Sequence, residues 1–155
     1  MLAAMWRPRL VLLLAFALFV PTACGGSDVE PAPAAPASLP SSAGLVNGCN
    51  REDTPLSRDR EEVEIHFGGL IGYAYEPACL RVRAGTRVRF VGPFDAHPLA
   101  AGRVYDEEVV PDSESPFEST WEGESATFLM LATGDLGYYC DQHTFEGMFG
   151  AVFVE

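Results

Sequence analysis

Apolar and polar residues alternate with period two through most of the chain beyond residue 60. Val63, Ile65 and Phe67 are interleaved with Glu62, Glu64 and His66. Leu80 and Val82, then Val88 and Phe90, are interleaved with Arg81, Arg83, Arg87 and Arg89, and Gly85 marks a turn between the two runs. Phe128 and Met130 fall in another apolar run, and Val152 and Val154 in the last. Side chains of a strand point alternately to its two faces, so each run predicts a short strand with one buried face. Many such strands broken by Gly and Pro predict an all-β fold, an antiparallel sandwich. No stretch has a convincing helical period, so helix content should be low. Near the C-terminus, Leu136 to Tyr139 reads as a strand entered from the turn Thr133-Gly134-Asp135. Phe149 to Val154 reads as a strand leaving, which makes the residues between them a loop pinned at both ends. Gly147 is placed to close that loop, because glycine adopts unusual backbone angles cheaply.

The first residues follow a different pattern. Arg7 and Arg9 precede an unbroken apolar run from Leu10 to Val20, followed by small residues up to Cys24. The run is too short to span a bilayer, which takes about 20 residues. It reads as a secretory signal, residues 1–23. Thr22 and Ala23 before Cys24, with Gly25 and Gly26 after it, resemble a bacterial lipobox, in which the Cys becomes the lipidated first residue. Pro21 departs from that pattern, which usually has Leu there. Ordinary cleavage that leaves Cys24 as a free thiol is the competing reading. Residues 24–44 are rich in Pro, Ala and Ser and predict a semi-extended tether reaching some tens of Å, at about 3.1 Å per residue. Residues 45–155 then form one domain of ordinary size.

Candidate chemistry lies in the C-terminal loop. Cys140, His143 and Met148 place a thiolate, an imidazole and a thioether within nine residues. Soft sulfur ligands favour Cu(I), imidazole suits both copper states, and two imidazoles with one thiolate and a weak axial Met make a blue electron-transfer site. The second imidazole must come from elsewhere. The chain has 3 histidines, and His97, in Phe94-Asp95-Ala96-His97-Pro98, is the obvious candidate. Zinc is the competing metal, but it rarely uses Met, and its structural sites prefer four Cys or His ligands. A catalytic Cys–His pair would lack an orienting group and leave the Met without a role. Of the 4 cysteines, Cys24 is expected to take a lipid and Cys140 a metal. Cys49 and Cys79 remain, in an exported chain where disulfides persist, and are expected to pair. Two unpaired buried thiols are the alternative.

These residues resemble a family. From Pro77 onward the chain is similar to the blue copper proteins, or cupredoxins, of plastocyanin and pseudoazurin type. Pro77, Leu80, Val82, Gly85, Val88 and Phe90 look like the paired strands leading to the family's first His ligand. Tyr138-Tyr139-Cys140, His143 and Met148 look like its ligand loop, and Gly150, Val152 and Val154 like its closing strand. The resemblance covers roughly residues 60–155. It implies a Greek-key β-sandwich holding one type 1 copper ion. His97 and His143 would bind through Nδ1, Cys140 through Sγ, and Met148 through a longer axial bond. One position departs: the family usually has Asn after the first His, hydrogen-bonded across to the ligand loop, where this chain has Pro98. Such bonds tune metals, so the reduction potential is not carried over; the rigidity of Pro98 is expected to replace part of the restraint.

Charge narrows the partners. The domain has 8 arginines and no lysine against 20 acidic residues, and the chain carries a formal net charge of −12. That excludes a nucleic-acid or anionic-membrane binder. It suits a monomeric electron carrier steered towards a redox protein with a basic surface, a c-type cytochrome being the natural guess. Asp106-Glu107-Glu108 and the stretch from Asp112 to Glu124 are candidate docking segments, or simply solvated loops. In relatives the electron leaves through the exposed edge of the second His within an apolar patch, for which Phe145, Phe149, Pro98 and Leu99 are the candidates here. His66 lies on the polar alternation of its strand and reads as a surface residue. The four arginines of the alternating runs read as a wet face pairing with nearby acids. An enzyme is not expected, since three histidines cannot supply a trinuclear copper cluster and nothing marks a carboxylate pair in a pocket. The expectation is electron shuttling at the outer face of a bacterial membrane, in the periplasm or on the cell surface, with the lipid as the only membrane contact. A lipid-anchored copper carrier without redox cycling is the alternative. A metal-free interaction module is a weaker third reading, since all four ligand residues are present.

Overall fold

The strands form where alternation places them, and their pairing sets the architecture. The computed structural model describes residues 44–106 and 108–155. The expected signal (1–23), Cys24 and the tether up to residue 43 lie outside the described residues. Eleven strands occur among the described residues: β1 (Leu45–Val46), β2 (Cys49–Asn50), β3 (Glu62–Phe67), β4 (Tyr75–Glu76), β5 (Cys79–Val82), β6 (Arg87–Val91), β7 (Leu99–Tyr105), β8 (Glu108–Pro111), β9 (Ser125–Leu129), β10 (Gly134–Cys140) and β11 (Phe149–Val154). One 3-10 turn, Gly69–Ile71, is the only helical element among the described residues.

One sheet has the order β4-β3-β6-β9 and the other β5-β11-β10-β7-β8, with β1 and β2 as a separate hairpin. Inward residues of the two sheets, among them Ile65, Val88 and Phe90 facing Leu80, Val82, Leu99 and Val152, make one buried core. The fold is a β-sandwich. It is not purely antiparallel: β3 pairs parallel with β6, and β11 parallel with β5. Alternation reports which face of a strand is buried and carries no record of its neighbour's direction.

The aromatic centre of the core is Tyr138, whose ring meets Tyr75, Phe90 and Phe117 edge-on at centroid distances of 4.9, 5.0 and 5.8 Å. Edge-to-face contacts suit the ring quadrupole. Its hydroxyl donates to the Ala78 carbonyl at 2.8 Å, so the buried phenol is satisfied.

Strand β11 departs from simple alternation. Residues 150–154 are all buried. Val152 and Val154 face the core, while Ala151 and Phe153 pack under Val46 and Cys49 of the β1–β2 hairpin. The hairpin is fixed in two ways. Cys49 and Cys79 form a disulfide, with Cα atoms 5.5 Å apart. Asn47, in a left-handed conformation that Asn tolerates, inserts its amide into the sheet. Its Nδ2 shares two protons among the carbonyls of Gly102, Tyr138 and Gly150 at 3.0–3.1 Å, and the Val104 N–H donates to its Oδ1 at 2.8 Å. Gly137 makes the room, because a Cβ there would meet the Gly102 carbonyl and lie 3.0 Å from Asn47 Nδ2.

The arginines of the alternating runs form surface pairs: Arg81–Glu155, Arg83–Asp59, Arg87–Glu62 and Arg89–Glu64. His66 is half-exposed and lies 3.1 Å from Glu64.

Candidate metal centre

Two connections at one end of the sandwich supply the donor atoms. After β6 the chain turns through Pro93–Ala96, where the N–H groups of Ala96 and His97 both donate to the Pro93 carbonyl, and delivers His97 just before β7. Between β10 and β11 the loop closes on itself. Cys140 N–H donates to the Met148 carbonyl at 2.9 Å, His143 N–H to the Cys140 carbonyl at 3.2 Å, and Met148 N–H to the His143 carbonyl at 3.0 Å. Gly147 takes φ 86°, the left-handed turn its position required. The two connections are stitched together where Asp141 N–H donates to the Pro98 carbonyl at 3.0 Å. Pro98 thus contributes a cross-link through its carbonyl, although it has no side chain to offer one.

The donor atoms of His97, Cys140 and His143 lie within 4.8 Å of one another. His97 Nδ1 is 3.2 Å from His143 Nδ1, and Cys140 Sγ is 3.3 Å from the same nitrogen. Both imidazoles therefore present Nδ1 inward. Met148 is fully buried and belongs to the same apolar cluster as Cys140. His97 is 8% exposed, Cys140 is fully buried, and His143 is half-buried. A soft thiolate and two imidazoles converging beside a buried thioether fit a single copper ion better than zinc.

Burial sets the electrostatics of the metal-free site. It pushes the Cys140 thiol up; the backbone N–H groups of Gln142 and His143 oppose this, and the charges of Asp141 and Glu146 add to it. Burial lowers His97, neighbouring His143 lowers it further, and Asp95 opposes both. In both groups burial, the largest effect, disfavours the charged form. The site is thus a neutral thiol beside an imidazole held neutral, and a bound cation would supply the charge that stabilises the thiolate.

The surface around the centre differs from expectation. Phe145 is 74% exposed, as an exit patch requires. Leu99 is fully buried and Pro98 is buried, while half-buried Phe149 lies towards the β1–β2 hairpin, where its Cε2 would be 4.0 Å from a Cβ on Gly48. Leu99 begins a strand whose inward face is core, which removes it and its neighbour from solvent. Their place is taken by a segment that the sequence reading passed over, Gly68 to Tyr73. Leu70 is fully exposed and Tyr73 is 55% exposed. The Tyr73 ring stacks on His143 with centroids 4.3 Å apart and planes 18° apart, and lies 5.9 Å from the His97 ring. The signal available was a glycine-rich run, Gly68-Gly69-Leu70-Ile71-Gly72, ending in an aromatic residue between two predicted strands.

A β-sandwich brings two inward Nδ1 atoms, a buried Cys and a buried Met to one end, the arrangement that the resemblance to the cupredoxins implies. No protein-family model matches the chain. Among curated proteins it is similar to halocyanin of Natronomonas pharaonis, 35% identical over 100 residues, which cover 61% of this chain and 56% of the relative. The chain thus spans little more than half the length of that relative. Similar solved structures include a Sinorhizobium pseudoazurin (25% identity, 61% of this chain and 73% of that one, TM-score 0.45) and the Hyphomicrobium denitrificans pseudoazurin (23%, 60% and 74%, TM-score 0.45). Oxidised plastocyanin from Dryopteris crassirhizoma is a third (16%, 60% and 100%, TM-score 0.41).

Proposed function

We propose that the domain is a type 1 copper electron carrier, with His97 Nδ1, His143 Nδ1 and Cys140 Sγ as the strong ligands and the Met148 thioether as a weak axial donor. The convergence of those three donor atoms within 4.8 Å carries the reading. Copper, when bound, supplies the one-electron couple. The chain supplies rigidity: the self-closed loop and its bond to Pro98 leave the donors little freedom to rearrange between oxidation states. The buried Cys140 and Met148, with His97 nearly buried and Tyr73 stacked on His143, suit a carrier on this reading.

The partner on this reading is a redox protein with a basic surface, such as a c-type cytochrome, met by a monomer. Exposed Asp95, Asp141 and Glu146 rim the centre. The segment 118–124 also reaches it, through the Leu99–Thr120 bridge and the bond from Phe94 N–H to the Gly123 carbonyl. Asp106 and Glu108 are the weaker candidates. They sit beyond the far end of β7, roughly 20 Å from Leu99 at about 3.3 Å per residue, and Glu107 between them lies outside the described residues. The disulfide supports an oxidising compartment outside the cytoplasm. On the same reading Cys24 carries a lipid and the tether holds the domain off the membrane. No helix of the described residues is long and apolar enough to cross one.

The test is the visible spectrum of the purified protein with Cu(II), with and without Cys140→Ser. An intense thiolate-to-copper band, lost in the variant, is the expected result. A pale protein that still holds copper tightly would replace the carrier of electrons with a carrier of copper.

A further inference from the structure

The imidazole nearest solvent is not bare. Whereas His97 is almost enclosed by its own turn, His143 sits in a loop whose neighbours Gln142 and Phe145 are exposed. The cover comes from the other sheet: the chain leaves β3 at Phe67, turns through Gly68–Gly72, and lays Tyr73 against His143 with centroids 4.3 Å apart and planes 18° from parallel. The same segment reaches the other ligand candidate from both of its ends. Phe67 meets the His97 ring edge-on at 6.2 Å, and Tyr73 meets it at 5.9 Å. The turn is fitted to this contact, because a Cβ on Gly68 would lie 3.1 Å from His97 Cδ2 and 3.0 Å from Pro93 Cδ, so a larger residue would lift the segment away.

We propose that Tyr73 is a positioning residue of the centre. It holds the His143 ring with Nδ1 inward before any metal arrives, and it places its own ring between that ligand and whatever docks at this end. The second half of the statement rests on the electron-transfer reading; the first does not. A ring half-exposed to water yet stacked on a neighbour is doing something other than filling the core. No hydrogen bond of the Tyr73 hydroxyl occurs among the described residues, so the contact is one of ring faces. Stacking restrains the imidazole about its Cα–Cβ and Cβ–Cγ bonds, which the loop's backbone bonds leave free. If the centre carries electrons, an outgoing electron crosses the Tyr73 ring, which is not itself oxidised. Leu70 and Phe145, both well exposed, then flank the point of exit.

The first arm of the test uses the metal-free protein. Diethyl pyrocarbonate labelling, read by peptide mass for each histidine, compares wild type, Tyr73→Phe and Tyr73→Ala at neutral pH. His66, half-exposed on β3 beside Glu64, serves as the internal reference. His143 of Tyr73→Ala should be labelled about 2- to 10-fold faster relative to His66, the range expected for loss of one aromatic pair. Tyr73→Phe should match wild type, since only the ring face is used. An unchanged His143 rate in Tyr73→Ala would overturn the positioning role. Tyr73 is surface-exposed, so both variants should fold, which an unchanged cooperative melt would show. The second arm uses the copper-loaded protein and measures electron self-exchange between reduced and oxidised copies of this chain. One electron passes, the donor copy is oxidised and the acceptor copy reduced, and no proton or atom moves. Loss of rate in Tyr73→Ala with recovery in Tyr73→Phe is expected; equal rates in all three would overturn the exit role. A wild type without the thiolate-to-copper band would remove the electron-transfer reading while leaving the labelling result to stand or fall alone.

Discussion

The ligand loop and the N-terminal hairpin lie against the same two strands, β10 and β11, and are held by opposite means. In the loop from Cys140 to Met148 the bonds are local, each joining residues at most eight apart, with one cross-link to Pro98. In the hairpin they are distant. Asn47 reaches carbonyls 55, 91 and 103 residues away, and Cys49 is tied to Cys79 across 30. The loop therefore keeps its shape by its own sequence and needs the sheet only as an anchor. The hairpin has no shape of its own to keep, since two-residue strands are marginal alone. The separation teaches that the geometry of the centre and the stability of the domain are carried by different residues, and that the two should respond independently to mutation.

The largest test of that independence is removal of the disulfide. A Cys49→Ala/Cys79→Ala variant should lose ~3–4 kcal/mol of unfolding free energy, from the closure entropy of a loop of this length. Urea denaturation measures it. The copper band should keep its position; a band that moved would mean that the hairpin shapes the centre after all. Next in size is Asn47→Gly, which removes the amide yet accepts the left-handed backbone. It strips three buried carbonyls and one N–H of their partner, at a cost of about 2–3 kcal/mol, seen as a lower urea midpoint with the spectrum again unmoved. Smallest in stability is Pro98→Asn on the loop side. The bond from Asp141 N–H ends on the carbonyl of residue 98 and survives the substitution, so the urea midpoint should hardly change. The reduction potential should shift instead, because the rigid ring that restrains the ligand turn is gone. An unchanged potential would show that the carbonyl bond alone provides the restraint.

What the sequence discloses follows the same division. Alternation located β3, β5, β6 and β11, and the spacing of Cys140, His143, Gly147 and Met148 exposed the ligand loop, because both are properties of neighbouring residues. His97 was legible only by the scarcity of histidines. Strand direction was not legible, and neither was the double burial of β11, because Ala151 and Phe153 are hidden by a hairpin about 100 residues earlier in the chain. Asn47 carries no local mark at all: its partners are backbone carbonyls, which every residue has. Tyr73 was missed for a related reason. Its role depends on a contact between two sheets, and an aromatic residue after a glycine-rich turn looks the same whether it faces solvent or a ligand. The expected exit patch failed at Pro98 and Leu99 because proximity to His97 in sequence says nothing about which side of the strand faces water.

Strand β11 lies between β10 and β5 in its sheet, and that position has a consequence for assembly. Neither neighbour completes its ladder without β11, and β11 is joined to β10 by the loop that holds three of the four candidate donors. The fourth stands just before β7, which lies between β10 and β8. Pairing β10 with β7 sets Cys140 opposite Leu99 and so brings the ligand loop to His97, while β11 ties the same loop to β5: the ladder that closes the sheet is also the frame that gathers the donors.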